Sequence, residues 1–238
     1  MTTSSIPHRH TPRISVNDLA RYMVSSPTAQ VGIIRRARDA IIPPVTRYRD
    51  ARKPLCSYLT DRSRSVNPLV SAEQMLLQRA EDPSESSFRQ DDAKQTIAVL
   101  NAIQGMSNQL GSFDFHHAPN SQSPVVICGV EISVRADLLV YSTVRSKQQI
   151  GAAIFRLSQD DAETDAARVK RKKMGQYVAT LARIHLDKNI TSERIAASRL
   201  CMSIDVQHGE VFQAPAAAQL TSNIENACRF IAALWQTA

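Results

Sequence analysis

The sequence predicts an α/β domain, and two observations carry the prediction. Apolar residues recur at helical spacing as far as Gly111, then give way from Pro124 to β-branched and alternating runs. A long amphipathic stretch then separates three strand-like runs from two more, so the expected order is helices, three strands, a long helix, two strands and a final helix. That order makes a small mixed sheet flanked by helices, with an N-terminal helical arm. Residues 1–13 are polar and expected to be a disordered tail. Residues 14–238 are expected to be a single α/β domain, mainly helical over 14–110 and sheet-containing over 124–238.

Ser15 with Asp18 three residues later forms a capping-box-like start for ISVNDLARYM, where Val16, Leu19, Tyr22 and Met23 fall at helical spacing. Ser26 and Pro27 open a second helix, PTAQVGIIRRARDAI, with Val31, Ile34, Ala37 and Ile41 on its apolar face and Arg35, Arg36 and Arg38 opposite. VTRYRDARKPLCSYL is a third helical stretch, which Pro54 is expected to kink or divide. Residues 60–72 and 81–87 read as loops around a short helix, AEQMLLQRA. The next helix aligns Ile97, Leu100, Ile103, Met106 and Leu110, with Gly111 to end it. GSFDFHHAPNSQSP reads as a loop whose adjacent histidines, His116 and His117, point apart and form no metal site by themselves.

The runs at 124–129, 130–141 and 150–157 are expected to be neighbouring strands. Asp165 to Lys188 then forms a helix with Met174, Tyr177, Val178, Leu181 and Ile184 in phase. RLCMSIDV and EVFQAP are strands joined through His208 and Gly209, and AAAQLTSNIENACRFIAALW is the closing helix.

The formal charge of +7 points to an acidic partner. Its distribution sharpens the point: residues 1–64 hold twelve Arg or Lys against four Asp, and residues 65–100 hold three basic against six acidic residues. A second basic cluster, Arg168, Lys170, Arg171, Lys172 and Lys173, follows the acidic run Asp160, Asp161, Glu163 and Asp165. The two readings are a solvated helix with acid at its N-terminus and a phosphate-contacting surface shared with Arg35, Arg36 and Arg38. No apolar run approaches the ~20 residues that cross a bilayer, and the four cysteines have no CxxC or CxxH spacing. A soluble cytoplasmic protein with reduced thiols and no structural zinc is the expectation.

Dinucleotide-binding, P-loop, GxSxG and HExxH signatures do not occur. The segments ISVNDLARYMVSSP, GVEISVRADLLVY, QIGAAIFRLS and KKMGQYVATLARI instead resemble the PD-(D/E)XK nuclease-like superfamily, in particular its RecB-like and CRISPR-adaptation branch. The resemblance implies a restriction-endonuclease-like core. RAD stands in place of the PD or ID that carries the metal-binding aspartate, which makes Asp137 that carboxylate. Gln176 and Tyr177 match the Gln-Tyr pair of the following helix. The next strand departs from the pattern: centring it puts Ala152, Ala153 and Ile154 on the (D/E)XK triplet, and sliding by two brings Arg156 to the lysine position but leaves Ile154 for the carboxylate.

The resemblance therefore implies a catalytically degenerate module that binds DNA or RNA without strong sequence preference, or a complex that handles it, and no cofactor. The enzyme alternative is a nuclease using Mg2+ or Mn2+, with Asp137 and a migrated Glu131 as ligands and Arg156 as the phosphate-stabilising cation. Strand alternation would put Glu131, Ser133, Arg135 and Asp137 on one face. A protein-interaction subunit without nucleic-acid binding is the third reading, and a membrane partner is not expected.

Overall fold

The computed structural model describes residues 9–39, 47–158 and 164–237. β1 (Arg13–Ser15) runs directly into α1 (Val16–Met23), and Ser15 caps that helix: its hydroxyl accepts from the Asp18 N–H at 3.1 Å and donates to the Asp18 carboxylate at 2.6 Å. α2 (Pro27–Arg38) begins on its proline but buries Ile33 and Ile34, while Val31, expected on the buried face, is exposed. Ile41 and Val45 lie outside the described residues.

Residues 9–13, expected within a disordered tail, are instead tied to the end of α2 and to the C-terminal segment. Arg9 N–H donates to the Arg38 carbonyl, and Trp235 Nε1 donates to the Arg9 carbonyl at 2.8 Å. Residues 1–8 lie outside the described residues.

The third helical stretch is divided, as expected, just before Pro54: a 3-10 turn over Arg49–Ala51 gives way to α3 (Arg52–Thr60), which takes Pro54 in its first turn. α4 (Asn67–Glu81) starts inside the stretch expected to be loop. α5 (Ser87–Gly105) and α6 (Ser107–Leu110) replace the single long helix, which breaks at Met106.

The strands then depart from expectation in two places. β2 (Asp114–His117) lies in the histidine-containing segment expected to be a loop. The run at 130–141 is not one strand: β3 (Val125–Ile127) and β4 (Val130–Ser133) form a hairpin over Cys128 and Gly129, both at positive φ, and the chain leaves that hairpin before β5 (Leu138–Val144) begins. After β6 (Lys147–Arg156) come α7 (Asp165–Asn189), the two-residue β7 (Ile195–Ala196), β8 (Met202–Asp205), β9 (Glu210–Gln213) and α8 (Gln219–Leu234).

Two mixed sheets result among the described residues, where one was expected. The small one has the order β1-β4-β3, with β1 parallel to β4. The large one has the order β2-β5-β6-β8-β9, with β7 beside β6. In it β2, β5 and β6 are antiparallel, α7 crosses over, and β8 returns parallel to β6.

The large sheet is covered on both faces, which explains its nearly continuous apolar runs. Leu139, Ile150, Ala152 and Ile154 pack toward α7, α1, α8 and the small sheet. Leu138, Val140, Ala153 and Phe155 pack toward α3, α4 and α5. α7 approaches β9 closely because residue 175 is glycine: a Cβ there would stand 2.1 Å from the Phe212 ring. Among the described residues no helix is long and apolar enough to cross a membrane.

Candidate functional site

β5 begins directly after Asp137, which lies beside the carboxyl end of β6. In open α/β sheets that end is where ligands gather. The backbone N–H of Asp137 donates to the Ala153 carbonyl at 2.9 Å, and its carboxylate accepts from the Phe155 N–H at 2.7 Å, so the side chain extends the β5–β6 ladder by one acceptor. The other carboxylate oxygen is paired with the Arg52 guanidinium of α3. The Asp137 side chain is 4% exposed and that of Arg52 41%. The ion pair thus has one buried and one wet partner.

Arg52 belongs to a group of cations. A cleft of about 700 Å³ opens between the start of α3, the segment after β2 and the approach to β5, lined by Arg49, Arg52, Lys53 and Arg135 with Asp137 as its one carboxylate. His117, Ser57 and Asn120 add neutral polar groups. Arg49, Lys53 and Arg135 are exposed and have no carboxylate partner among the described residues. Three of the four cations stand at or just before the first turn of α3, where the helix dipole disfavours positive charge. A bound anion would offset that repulsion.

The wall opposite α3 is braced from the core. Asn189 of α7 donates to Ser123 O at 2.8 Å and to His185 Nδ1 at 3.0 Å, which leaves His185 Nε2–H to donate to Gln122 Oε1 at 2.8 Å. Gln122 in turn accepts from the Ala136 N–H and donates to the carbonyls of Pro119 and Ala136. Arg135 and Asp137 flank that clamped residue. Burial lowers the pKa of His185, favouring the neutral ring this chain of bonds requires. At the cleft floor burial, reinforced by Asp137, pushes the Cys56 thiol up to about 12.

No family model and no curated protein matches this chain.

The residues expected to form a nuclease centre are dispersed. The strand break puts Glu131 in the small sheet, 3.9 Å from Arg13, so it does not share a strand face with Asp137. Arg156 is buried at the α7 side of the large sheet and paired at 2.8 Å with the wholly buried Asp205 of β8. His208 Nδ1 bonds the other oxygen of Asp205 at 2.8 Å. Ile154 is core. Among the described residues no three of His, Cys, Asp and Glu are grouped to hold a metal ion. With Asp137 already bonded on both oxygens, the residues present do not fit Mg2+ or Mn2+.

The expected basic surface is divided as well. Arg171 is 4% exposed and lies 3.9 Å from Glu210, inside the protein. Arg168, Lys170, Lys172 and Lys173 are exposed on α7. Arg35 and Arg36 are exposed on α2, which packs against α1 and β1, while Arg38 donates to the Trp235 carbonyl and pairs with Asp39. Acidic residues 160, 161 and 163 lie outside the described residues. Gln176 and Tyr177 line a groove between α1, α7 and α8, remote in the fold from the cleft at Asp137.

Sequence reasoning passed over Arg49, Arg52 and Lys53. Their signal was local: three cations around the start of a helix with no acid in its first turn.

Proposed function

We propose that this protein is a catalytically degenerate module of nuclease-like fold that binds nucleic acid at the Arg52–Asp137 cleft without cutting it. The single observation that carries the reading is that cleft: four cations line it, and its one carboxylate is itself paired with Arg52 and bonded to the Phe155 N–H. The topology supports the likeness to the PD-(D/E)XK superfamily. β2, β5 and β6 are antiparallel neighbours, α7 crosses over, β8 lies parallel to β6, and Asp137 faces the segment Ile154-Phe155-Arg156 where the family triplet would stand.

The chemistry follows from charge. In an active metal-dependent nuclease, carboxylates hold a divalent ion that activates water and neutralises the phosphate. Here the guanidinium of Arg52 takes the carboxylate instead. It supplies positive charge but carries no water of lowered pKa, so phosphate binding is retained and hydrolysis is not. Arg49, Lys53 and Arg135 supply non-specific phosphate contacts.

The experiment is a fluorescence titration of a labelled single-stranded oligonucleotide at 50 and 200 mM salt, run with a cleavage assay in Mg2+ or Mn2+. Three phosphates neutralised on a single strand give a log–log slope of about −2, hence about a 20-fold loss of affinity across that interval. Intact oligonucleotide is expected throughout. Salt-insensitive binding, or cleavage abolished by Asp137→Ala, would overturn the proposal.

A further inference from the structure

A second concavity lies on the side of α7 away from the large sheet. It runs between the C-terminal end of α1, the first half of α7 and α8, and comprises two adjoining hollows of about 470 and 500 Å³ that share Met23, Tyr177 and Asn223. Its floor is fixed: Tyr177 is buried, and its hydroxyl accepts from Asn223 Nδ2 at 3.3 Å.

α8 carries two stripes. Ile224, Cys228, Ile231 and Trp235 are buried in the core. Leu220, Asn223, Ala227, Phe230 and Leu234 recur at three and four residues along the edge of the groove. Phe230 is 64% exposed, an unusual position for a phenyl ring, and Val169 on the facing rim is also exposed. From Leu220 to Leu234 the rise is about 21 Å, the length of roughly four helical turns.

The charge is one-sided. Among the described residues no carboxylate lines either hollow, and Lys170 and Lys173 stand at the end nearest Leu220. The end nearest Leu234 carries no charge. A segment with apolar residues along one face and acidic residues at one end matches both properties.

We propose that this groove receives an amphipathic helix of a partner protein, about four turns long and acidic at the end that meets Lys170 and Lys173. The recognition mode is helix-in-groove, with apolar anchors at i, i+3 or i+4 and i+7 against Met23, Tyr177 and Phe230. The lysines set the direction in which the helix lies. The site is separate from the cleft at Asp137, so either can fail without the other.

The test uses the full chain and three fluorescein-labelled sixteen-residue helical peptides. Two share one Leu/Phe stripe and differ in bearing Glu or Lys at one end, and the third scrambles the stripe of the acidic peptide. The acidic peptide should bind at least fivefold more tightly than the basic one and at least tenfold more tightly than the scrambled one. Phe230→Asp, at an exposed position, should reduce that binding tenfold without altering the melting temperature. The double variant Lys170→Glu, Lys173→Glu should abolish or reverse the charge preference, and Lys94→Ala, exposed on α5, should leave peptide binding unchanged. Equal binding of all three peptides, or indifference to Phe230→Asp, would overturn the proposal. So would a concentration-dependent dimer in sedimentation that Phe230→Asp dissolves, since the occupant would then be a second copy. Displacement of the acidic peptide by a single-stranded oligonucleotide that needs Lys170 and Lys173 would overturn it too.

Discussion

Replacing Asp137 by asparagine should make the protein less stable and a better anion binder at once. The carboxylate accepts from the Phe155 N–H and from Arg52. Asparagine can keep its oxygen on one of them only, and its amide nitrogen then meets a donor. Removing one partner of a fully buried pair costs about 3–5 kcal/mol. Arg52, however, is 41% exposed and regains water, so the loss is nearer that of one hydrogen bond to a charged group, about 1.5–3 kcal/mol. In a chain of this size that lowers Tm by roughly 3–12 °C.

Binding should move the other way. The substitution removes the cleft's one carboxylate and frees Arg52 toward the ligand. Repulsion between Asp137 and a phosphate held roughly 7 Å away is about 1 kcal/mol at an effective dielectric between water and a protein surface, or about fivefold in Kd. Thermal denaturation and a low-salt anisotropy titration of the same samples read both quantities. Weaker binding by the folded variant would refute the reasoning, because it would mean that Asp137 serves the ligand directly.

Three other outcomes follow from the buried groups. His185 is held neutral with its pKa lowered by burial, so its contribution to stability is complete above the unfolded value of about 6.5 and is lost as pH falls through the folded value. Urea denaturation at pH 7.5 and pH 5 should show a smaller acid loss in His185→Gln than in the wild type, and equal losses would contradict that. Burial pushes the thiols of Cys56, Cys201 and Cys228 up to about 12, 11 and 12, whereas Cys128 is exposed. Brief iodoacetamide treatment at pH 8 should therefore add one group to the native protein, at Cys128, and four in urea. Gly175→Ala places a methyl against Phe212 and should cost about 1–3 kcal/mol, with an unchanged Tm as the contrary result.

The elements legible in the sequence are those whose periodicity is set by one covered face. α7 and α8, and the Ser15 cap of α1, follow from spacing alone. β2 was not legible because DFHH has no β-branched residue; pairing with β5 makes it a strand. The break between β4 and β5 was hidden because Val134 and Ala136 are buried and continue the alternation of the strands on either side. Only the turn at Val134, whose N–H bonds Ile132 O, and the divergent sheet partners reveal it. Asp137 was legible only as the carboxylate that RAD puts in the metal-binding position of the resemblance, not as half of an ion pair. Its actual partner, Arg52, lies 85 residues earlier in the chain, and no local pattern couples two residues across that separation.

Two basic surfaces could meet the phosphates, the cleft at Asp137 and the exposed face of α7. Two triple variants decide between them in one salt titration: Arg49→Ala, Lys53→Ala, Arg135→Ala in the cleft, and Lys170→Ala, Lys172→Ala, Lys173→Ala on α7. All six side chains are exposed, so both proteins should fold. The cleft variant should lose measurable oligonucleotide binding at 50 mM salt, while the α7 variant should keep the wild-type affinity and its slope of about −2. Full binding by the cleft variant, with loss in the α7 variant, would contradict the account.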